Sequence, residues 1–475
     1  MNISEMVGVL NDIAWGPWML ILLVGTGIYL TVRMGFIQFV RFPYVIKNTI
    51  GKIFQKQKAG EGEITPFQAM STALAATVGT GNIAGVTGAI AVGGPGAVFW
   101  MWMSALFGMV TKYAEVVLAV RYRERNDKGE WVGGPMYYIR NGLGDKWNWL
   151  AVLFSLLAAL AAFGIGNMTQ VNTIAGSVNT AIQSFGGDTS ASFEIFGIRV
   201  SVISLLVGVV VAVIVALVLF GGIKRIGSVT EKLVPFMALV YILASCVVLL
   251  FNLDVIGGII QSIFVGAFTP DAALGGAFGI AVMTTIQKGV GRGVFSNEAG
   301  LGSAPMAHAS TSETDPVKQG LYGIFEVFAD TIVICTLTAF TLLCGANSGV
   351  EVVWGQNAGA ELISDSFSTV FGPQIGSMIV AVGISLFALS TILSWSLYGC
   401  RCCEFLLGTK SVPVYQTLFV LVIVIGAFME LDLVWTIADT LNGFMALPNL
   451  VALLGLSGTV IHLTKVFFNT KHLEV

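Results

Sequence analysis

The sequence predicts an all-α membrane protein with eleven transmembrane helices. Its 475 residues are 55% hydrophobic and 11% charged, with a mean hydropathy of +0.84, whereas soluble domains carry about 25% charged residues. About 20 apolar residues are needed to cross a bilayer as a helix. Eleven apolar runs of adequate length lie near residues 15–32, 66–92, 96–120, 149–178, 200–221, 229–251, 272–291, 319–344, 375–399, 412–429 and 433–463.

These runs divide into one N-terminal helix and two groups of five. Because five is odd, the two groups enter the membrane from opposite sides. Two halves with opposite membrane topology are typical of an inverted repeat. We therefore predict four segments: a peripheral helix with a basic loop (1–60), a first half with spans 2–6 (61–255), a second half with spans 7–11 (256–465) and a tail (466–475).

The basic residues predict the orientation. If the chain crosses at these eleven runs, all 24 lysines and arginines except Arg199 lie on one side, and such residues are concentrated in cytoplasmic loops. We expect a multi-pass protein of the plasma membrane with its N-terminus outside and its C-terminus in the cytoplasm. The first residues include Glu5 and Asp12 and lack the basic region of a cleavable signal.

Span 2 contains the strongest indication of a functional site. The stretch Thr77-Val78-Gly79-Thr80-Gly81-Asn82 interrupts an apolar run that begins at Pro66. Unpaired backbone groups cost several kcal/mol each in hydrocarbon, so such a break is tolerated only where it lines a buried or watery cavity. Gly81 and Gly85 also fit the small-residue spacing of packed membrane helices, so helix packing is the alternative to a site.

A helix opened here exposes two kinds of end. The carbonyl groups between Ala75 and Val78 would face a small cation. The N–H groups of Thr80, Gly81 and Asn82 would face an anion. An amino-acid zwitterion fits such a site, with its carboxylate on span 2.

Other spans supply further candidates. Span 7 carries the glycine pair Gly275 and Gly276 in the position that corresponds to the break in span 2, and carbonyls freed there would meet the ammonium group. Phe278 either caps the pocket or packs between helices. Gln170, in an unusually polar turn of span 4, either bonds the substrate or makes an interhelical hydrogen bond.

Span 9 contains two neighbouring hydroxyl residues, Ser390 and Thr391. Such residues often donate back to the helix carbonyl four residues earlier. The functional alternative is that both oxygens complete a cation shell together with the carbonyls of span 2. The sequence leaves both interpretations open.

Ionisable residues inside spans are functional hypotheses by default. Glu326 and Asp330 are four residues apart in span 8 and hence on one face of a regular helix, where a shared proton would allow proton coupling. We expect Glu115 to pair with Lys112 near the membrane interface. The glycine-rich, charged stretch 288–305 is expected to be a cytoplasmic hinge or gate, with a plain flexible loop as the alternative.

Other classes of function have less support. We find neither the repeated pore loops nor the rings of like charge expected of a channel. An enzyme is also not indicated, because there is no HExxH motif and only three histidines. Gly79-x-Gly81-x-x-Ala84 resembles a dinucleotide fingerprint, but no strand precedes it. We interpret Cys400, Cys402 and Cys403 as reduced structural thiols rather than a metal site.

Three blocks of the chain resemble recurrent motifs of the alanine or glycine:cation symporter family. They are Gly93-Gly94-Pro95-Gly96-Ala97-Val98-Phe99-Trp100-Met101-Trp102, residues 77–84 and residues 293–305. The resemblance covers most of the chain. It implies a LeuT-type fold over spans 2–11 and symport of alanine or glycine with Na⁺ as the coupling ion. We expect a monomer in the lipid bilayer, with no organic cofactor and no nucleic-acid partner.

The resemblance also implies roles for individual residues. Val78-Gly79-Thr80-Gly81-Asn82 matches the unwound first core helix of LeuT-type transporters. By that match, the Thr80 and Gly81 amides would hold the substrate carboxylate. A sodium site would be formed by the carbonyls of Ala75 and Val78 with Ser390 and Thr391, and part of a second one by Thr77 and Asn82. We expect Asn82→Ala to weaken uptake far more than Cys402→Ala.

Overall fold

The computed structural model describes residues 3–52, 59–60, 62–195, 198–269, 281–429 and 432–471. These residues are mostly helical, with two short antiparallel hairpins. Strand β1 (Glu124–Arg125) pairs with β2 (Trp131–Val132), and β3 (Ser192–Ile195) pairs with β4 (Ile198–Ser201). Nine described helices are long and apolar enough to cross a membrane, or ten if one bent pair is counted as a span. The count of eleven crossings stays a prediction.

The N-terminal span is longer than expected. It consists of α1 (Ile3–Ala14) and α2 (Pro17–Arg33), and a proline at the first position of α2 starts the new helix. Two short helices, α3 (Ile37–Val40) and α4 (Phe42–Asn48), follow it.

The first half begins at a well-capped helix. The Thr65 hydroxyl and the Gln68 side chain form a reciprocal capping box, which satisfies two backbone donors at the helix start. The half comprises α5 (Pro66–Thr77), a π-turn (Gly81–Gly85) leading into α6 (Val86–Gly93), α7 (Ala97–Arg121), α8 (Pro135–Tyr138), α9 (Asn148–Phe163), a π-turn (Gly164–Met168) leading into α10 (Thr169–Ser184), α11 (Val202–Leu219) and α12 (Gly222–Phe251).

The second half contains one helix that the sequence did not predict, α13 (Leu253–Gly266). At 14 residues it is short for a crossing, and it packs against α7. The half continues with α14 (Val282–Asn297), α15 (Pro305–His308), α16 (Pro316–Val327), a π-helical segment (Phe328–Cys335) leading into α17 (Thr336–Asn347), α18 (Ala360–Phe371), α19 (Pro373–Leu407), α20 (Val412–Gly426), α21 (Asp432–Gly455) and α22 (Ser457–Lys471).

Helix α14 corrects the predicted placement of two basic residues. It runs on to Asn297 instead of ending near residue 291, so Lys288 and Arg292 lie within a helix. Both line one cavity with Asn11 and Asp12 of α1. Both residues therefore lie in a helix beside the N-terminal span, and their assignment to a loop was wrong.

Burial separates lipid-facing helices from central ones. Helices α11, α12 and α20 keep large apolar side chains exposed, among them Leu217, Phe251 and Leu421, as expected of surfaces that meet acyl chains. By contrast, α19 is buried almost continuously from Phe387 to Glu404. The candidate site lies on these central helices.

Candidate functional site

The break predicted in span 2 is present. Helix α5 ends at Thr77, and its axis meets that of residues 81–93 at an angle of 50°. Within the break, the Gly79 N–H donates to Asn82 Oδ1 at 2.9 Å, and the Thr77 carbonyl accepts from the same group at 3.0 Å. The side chain of Asn82 thus replaces a helical carbonyl as a partner for the opened backbone.

A cavity of about 620 Å³ lies beside this break. Thr80 and Gly81 line it together with residues of α6, α10, α14, α18 and α19. The Gln170 side chain is buried nearby, with its Oε1 atom 3.5 Å from the Thr80 backbone N–H, while its Nε2 donates to Ile165 O at 2.9 Å. Thr80, Gly81, Asn82 and Gln170 are therefore together. The predicted partners in span 7, Gly275, Gly276 and Phe278, lie outside the described residues.

The hydroxyl pair of α19 meets the open end of α5. Thr391 Oγ1 lies 3.0 Å and Ser390 Oγ 3.3 Å from the Ala75 carbonyl oxygen. Both hydroxyls also bond back to Phe387 O, at 3.0 Å and 2.8 Å respectively. Each hydroxyl therefore contacts a carbonyl of its own helix and the freed carbonyl of span 2. All are buried, and a set of carbonyl and hydroxyl oxygens suits a small hard cation. Val78 stands at the same helix end.

A buried carboxylate that sequence reasoning linked to Glu326 contacts Asn82 instead. Asn82 Nδ2 donates to Asp330 Oδ1 at 2.6 Å, and the Ser296 and Thr331 hydroxyls each donate to Asp330 Oδ2 at 2.8 Å. Spans 2, 7 and 8 therefore meet at one carboxylate. The sequence signal for it was an ionisable residue inside a span, but its partners were not predicted.

Glu326 has a different partner, so the arrangement of a proton shared with Asp330 was wrong. Its Oε1 atom pairs with His308 Nε2, and His308 Nδ1 in turn pairs with Gln319 Nε2 at 2.8 Å. The physical reason is the π-helical segment that begins at Phe328. Its wider turn changes the angular spacing on which the one-face argument depended.

The stretch after α14 is a second break and is buried. Glu298 (φ 55°), Gly300 (φ 95°) and Gly302 (φ 84°) adopt left-handed conformations, and residues 298–304 are all buried. A plain flexible loop over 288–305, the alternative to a hinge or gate, is therefore wrong, because residues 288–297 are helical and residues 298–304 are buried. Composition misled that interpretation, because glycine and charge are usual at surfaces but also occur where buried backbone must turn sharply.

This second break is held by Glu115 of α7. One carboxylate oxygen, Oε1, accepts the N–H groups of Gly300 at 3.0 Å and Gly302 at 3.1 Å, and the Asn449 side-chain amide at 2.6 Å. The expected ion pair with Lys112 is not formed. Among the described residues, the buried Lys112 ammonium has no hydrogen-bond partner.

A cluster of charged and aromatic residues around hairpin β1–β2 lies at the opposite end of α5. Arg125 Nη2 pairs with Glu63 Oε1 at 2.7 Å, and the Trp131 indole N–H donates to the same oxygen at 2.9 Å. Burial pushes the pKa of Glu63 upward, but hydrogen bonds from Trp131, Gly60 and Arg125 outweigh it and leave this pKa below its usual value. Arg123 Nη1 donates to the carbonyls of Ala309 and Thr311.

A membrane-spanning helix that is broken beside a cavity, with its freed carbonyl against hydroxyls of another span, is typical of secondary transporters. The chain belongs to the sodium:alanine symporter family, whose sequence model matches residues 1–474. Family membership confirms the resemblance found in the sequence and the prediction of a transporter rather than an enzyme.

Relatives match along nearly the whole chain. The "Sodium/alanine symporter AgcS" of Methanococcus maripaludis is 47% identical over 471 residues, which cover 98% of each chain. An "Uncharacterized transporter" of Haemophilus influenzae is 46% identical over 470 residues, covering 98% of this chain and 97% of that one. The "Probable sodium/glutamine symporter GlnT" of Bacillus subtilis is 36% identical over 473 residues, covering 99% and 91%.

One solved structure supports the fold. The chain resembles the crystal structure of MhsT in complex with L-phenylalanine, with a TM-score of 0.59 over 86% of this chain and 99% of that one. Because the sequences are only 12% identical, the likeness shows the fold alone. It confirms the predicted LeuT-type architecture.

Proposed function

We propose that the protein is a sodium-coupled symporter that imports the small neutral amino acids alanine and glycine by alternating access. The observation that carries the proposal is the break in span 2. It sets the backbone of Thr80 and Gly81 at a cavity and the Ala75 carbonyl against two buried hydroxyls. The printed name of the relative AgcS, a sodium/alanine symporter, supports the same pairing of substrate and ion.

In the proposed mechanism, span 2 binds the carboxylate of the substrate. The amides of Thr80 and Gly81 hold it, since N–H groups at a half-helix start favour an anion. Asn82 fixes the shape of the break, and Gln170 bounds the site beside Thr80. Gly275, Gly276 and Phe278 are proposed to meet the ammonium group and to limit side-chain size.

Sodium occupies the other end of the break. Its oxygen ligands are the carbonyls of Ala75 and Val78 and the hydroxyls of Ser390 and Thr391, which rotate their protons away when the ion enters. A second ion would be held near Thr77 and Asn82, where the Asp330 carboxylate supplies negative charge.

The arrangement corresponds to a state open toward the side of the N-terminus. The cavity beside Thr80 reaches Asn357 and Trp435, whereas the cluster of Glu63, Arg125 and Trp131 closes the opposite end. We propose that this closed end faces the cytoplasm, with the N-terminus outside, and that the monomer is the transporting unit.

Reconstituted liposomes test the proposal. We expect an inward sodium gradient at equal pH to drive accumulation of labelled alanine, and dissipation of that gradient to abolish it. Uptake that ignores sodium but follows a pH step would instead establish proton coupling, the alternative suggested by the intramembrane carboxylates. Sodium-independent, non-concentrative flux would indicate a channel.

Thr391→Ala is expected to weaken sodium binding specifically. Loss of one oxygen ligand worth about 1.4 kcal/mol raises the sodium concentration for half-maximal uptake about tenfold. Thr391→Ser, which keeps the hydroxyl, should stay near wild type. Thr417→Ala is the matched control, because Thr417 makes the same backward bond, to Pro413 O at 2.9 Å, without meeting span 2. Equal shifts in both alanine variants would contradict the assignment.

Asn82→Ala is expected to reduce uptake far more than Cys402→Ala. It removes one of the two acceptors of the Gly79 N–H and one of the three donors to Asp330. A buried polar group that loses its partner costs about 1–3 kcal/mol. Cys402→Ala removes only a packing contact with Met306 Sδ at 3.5 Å. Initial rates at saturating sodium, normalised to reconstituted protein, compare the two. Comparable losses would argue against a site at the break.

A further inference from the structure

A cavity of about 480 Å³ lies between the N-terminal span and the core helices. We call it the outer cavity, and its walls belong to α1, the start of α2, α6, α14 and α21. The residues that line both this cavity and the one beside Thr80 are Gly88, Arg292, Phe295 and Asn357. The Arg292 guanidinium carbon stands 4.8 Å from the centre of the Phe295 ring. This cation–π pair therefore lies where the two cavities meet.

The outer cavity carries charges of both signs on different helices. Lys288 and Arg292 are one turn apart on α14 and therefore share a face of that helix. Asp439 of α21 and Asp12 of α1 line the same cavity. Both cations interact electrostatically with Asp439, but neither forms an ion pair with a residue that the structure describes. Opposite charges therefore face a common space without contacting each other.

Specific contacts anchor the helices that carry these charges. Asn11 Nδ2 donates to Asp439 Oδ2 at 3.1 Å, and the Trp15 indole N–H donates to the Asp439 carbonyl at 3.0 Å. These two bonds tie α1 to α21. The Thr285 hydroxyl donates to the Gly93 carbonyl at 2.7 Å and ties α14 to the end of α6. The cations and the carboxylate are therefore held on separate walls by packed helices.

A free amino acid carries the complementary charges. Its carboxylate suits Lys288 and Arg292, because a guanidinium group forms paired, charge-assisted hydrogen bonds to a carboxylate. Its ammonium group suits Asp439, which accepts hydrogen bonds when ionised. A ligand with a single charge would satisfy only one of the two walls. Cavities of about 300–1,000 Å³ hold drug-sized ligands, so neither cavity is filled by one molecule as small as alanine.

We propose that the outer cavity is a second binding site for a zwitterionic amino acid, which the substrate occupies before it reaches the break in span 2. Lys288 and Arg292 hold the carboxylate, and Asp439 holds the ammonium group. Arg292 lines both cavities and directs the carboxylate toward the amides of Thr80 and Gly81. The inference rests on the proposed function, because it concerns the path of the same substrate.

Equilibrium binding of labelled alanine to the full-length protein in detergent tests the proposal, at saturating sodium and with alanine up to the millimolar range. We expect the wild type to bind two alanine molecules, one of them weakly. Lys288→Gln/Asp439→Asn should lose the weakly bound molecule and keep the other. The matched control Asp145→Asn/Lys146→Gln removes one charge of each sign at exposed positions elsewhere, and it should bind two.

Single variants keep the test decisive if the double variant fails to fold. Lys288 is exposed, so Lys288→Gln should fold and weaken only the second molecule, about tenfold, whereas Lys288→Arg should bind as the wild type does. Asn82→Ala should keep the weakly bound molecule. One alanine per wild-type protein, or equal losses in the control variant, would overturn this inference and leave the proposed function standing. A wild type that binds no alanine would overturn both.

Discussion

Gly79→Ala is expected to reduce sodium-driven uptake about 100-fold, which corresponds to about 2.7 kcal/mol. A Cβ atom at this position would lie 2.5 Å from Thr391 Oγ1 and 3.5 Å from Gln170 Oε1. Relief requires Thr391 to move off the Ala75 carbonyl, which dismantles the proposed sodium site. Overpacking of a buried site costs about 1–3 kcal/mol, in line with the expected loss.

The effect is steric, because Gly79 does not adopt a left-handed conformation. Gly25→Ala is the control, since nothing lies within 4 Å of a Cβ at that position, and it should transport normally. If the loss acts through Thr391, the Gly79→Ala/Thr391→Ala double variant should transport no worse than Gly79→Ala, as expected for coupled positions. Additive losses, measured as initial alanine uptake at several sodium concentrations, would contradict this mechanism.

The first break could be predicted from sequence because its signal is local. Polar and glycine residues at 77–82 interrupt an apolar run, and hydrocarbon leaves few explanations for such an interruption. The hydroxyl pair Ser390 and Thr391 could also be recognised from sequence, because two polar residues stand side by side in an apolar span. Its contact with Ala75, 315 residues away in the chain, followed from the resemblance to a known fold rather than from the residues themselves.

The buried turn at residues 298–304 was not predicted, because the groups that support it are distant in the chain. These residues are glycine-rich and were interpreted as part of a cytoplasmic hinge or gate. Their buried backbone groups are satisfied by the side chains of Glu115, 185 residues earlier, and of Asn449. No local sequence pattern connects either residue to this stretch. The Glu326–Asp330 pairing failed for a related reason, since a π-helical segment is not visible in hydrophobic periodicity.

The partners of Glu115 give the second large expected effect, a loss of folding stability rather than of ion affinity. Glu115→Ala leaves the N–H groups of Gly300 and Gly302 buried without an acceptor, at about 1–3 kcal/mol each. We expect a clearly lowered melting temperature in detergent and little uptake. Glu115→Gln keeps a carbonyl oxygen in place and should melt near wild type. This variant distinguishes the acceptance of the two backbone N–H groups from the effect of the negative charge.

Glu351→Ala, at an exposed position of the loop before α18, is the control and should melt and transport normally. The contact with Asn449 sharpens the test, because its amide donates both to Glu115 Oε1 and to the Gly300 carbonyl at 2.9 Å. Asn449→Ala should therefore also lower the melting temperature, and less than additively with Glu115→Ala. If Glu115→Gln melted as low as Glu115→Ala, the carboxylate charge, rather than its two backbone contacts, would hold the second break.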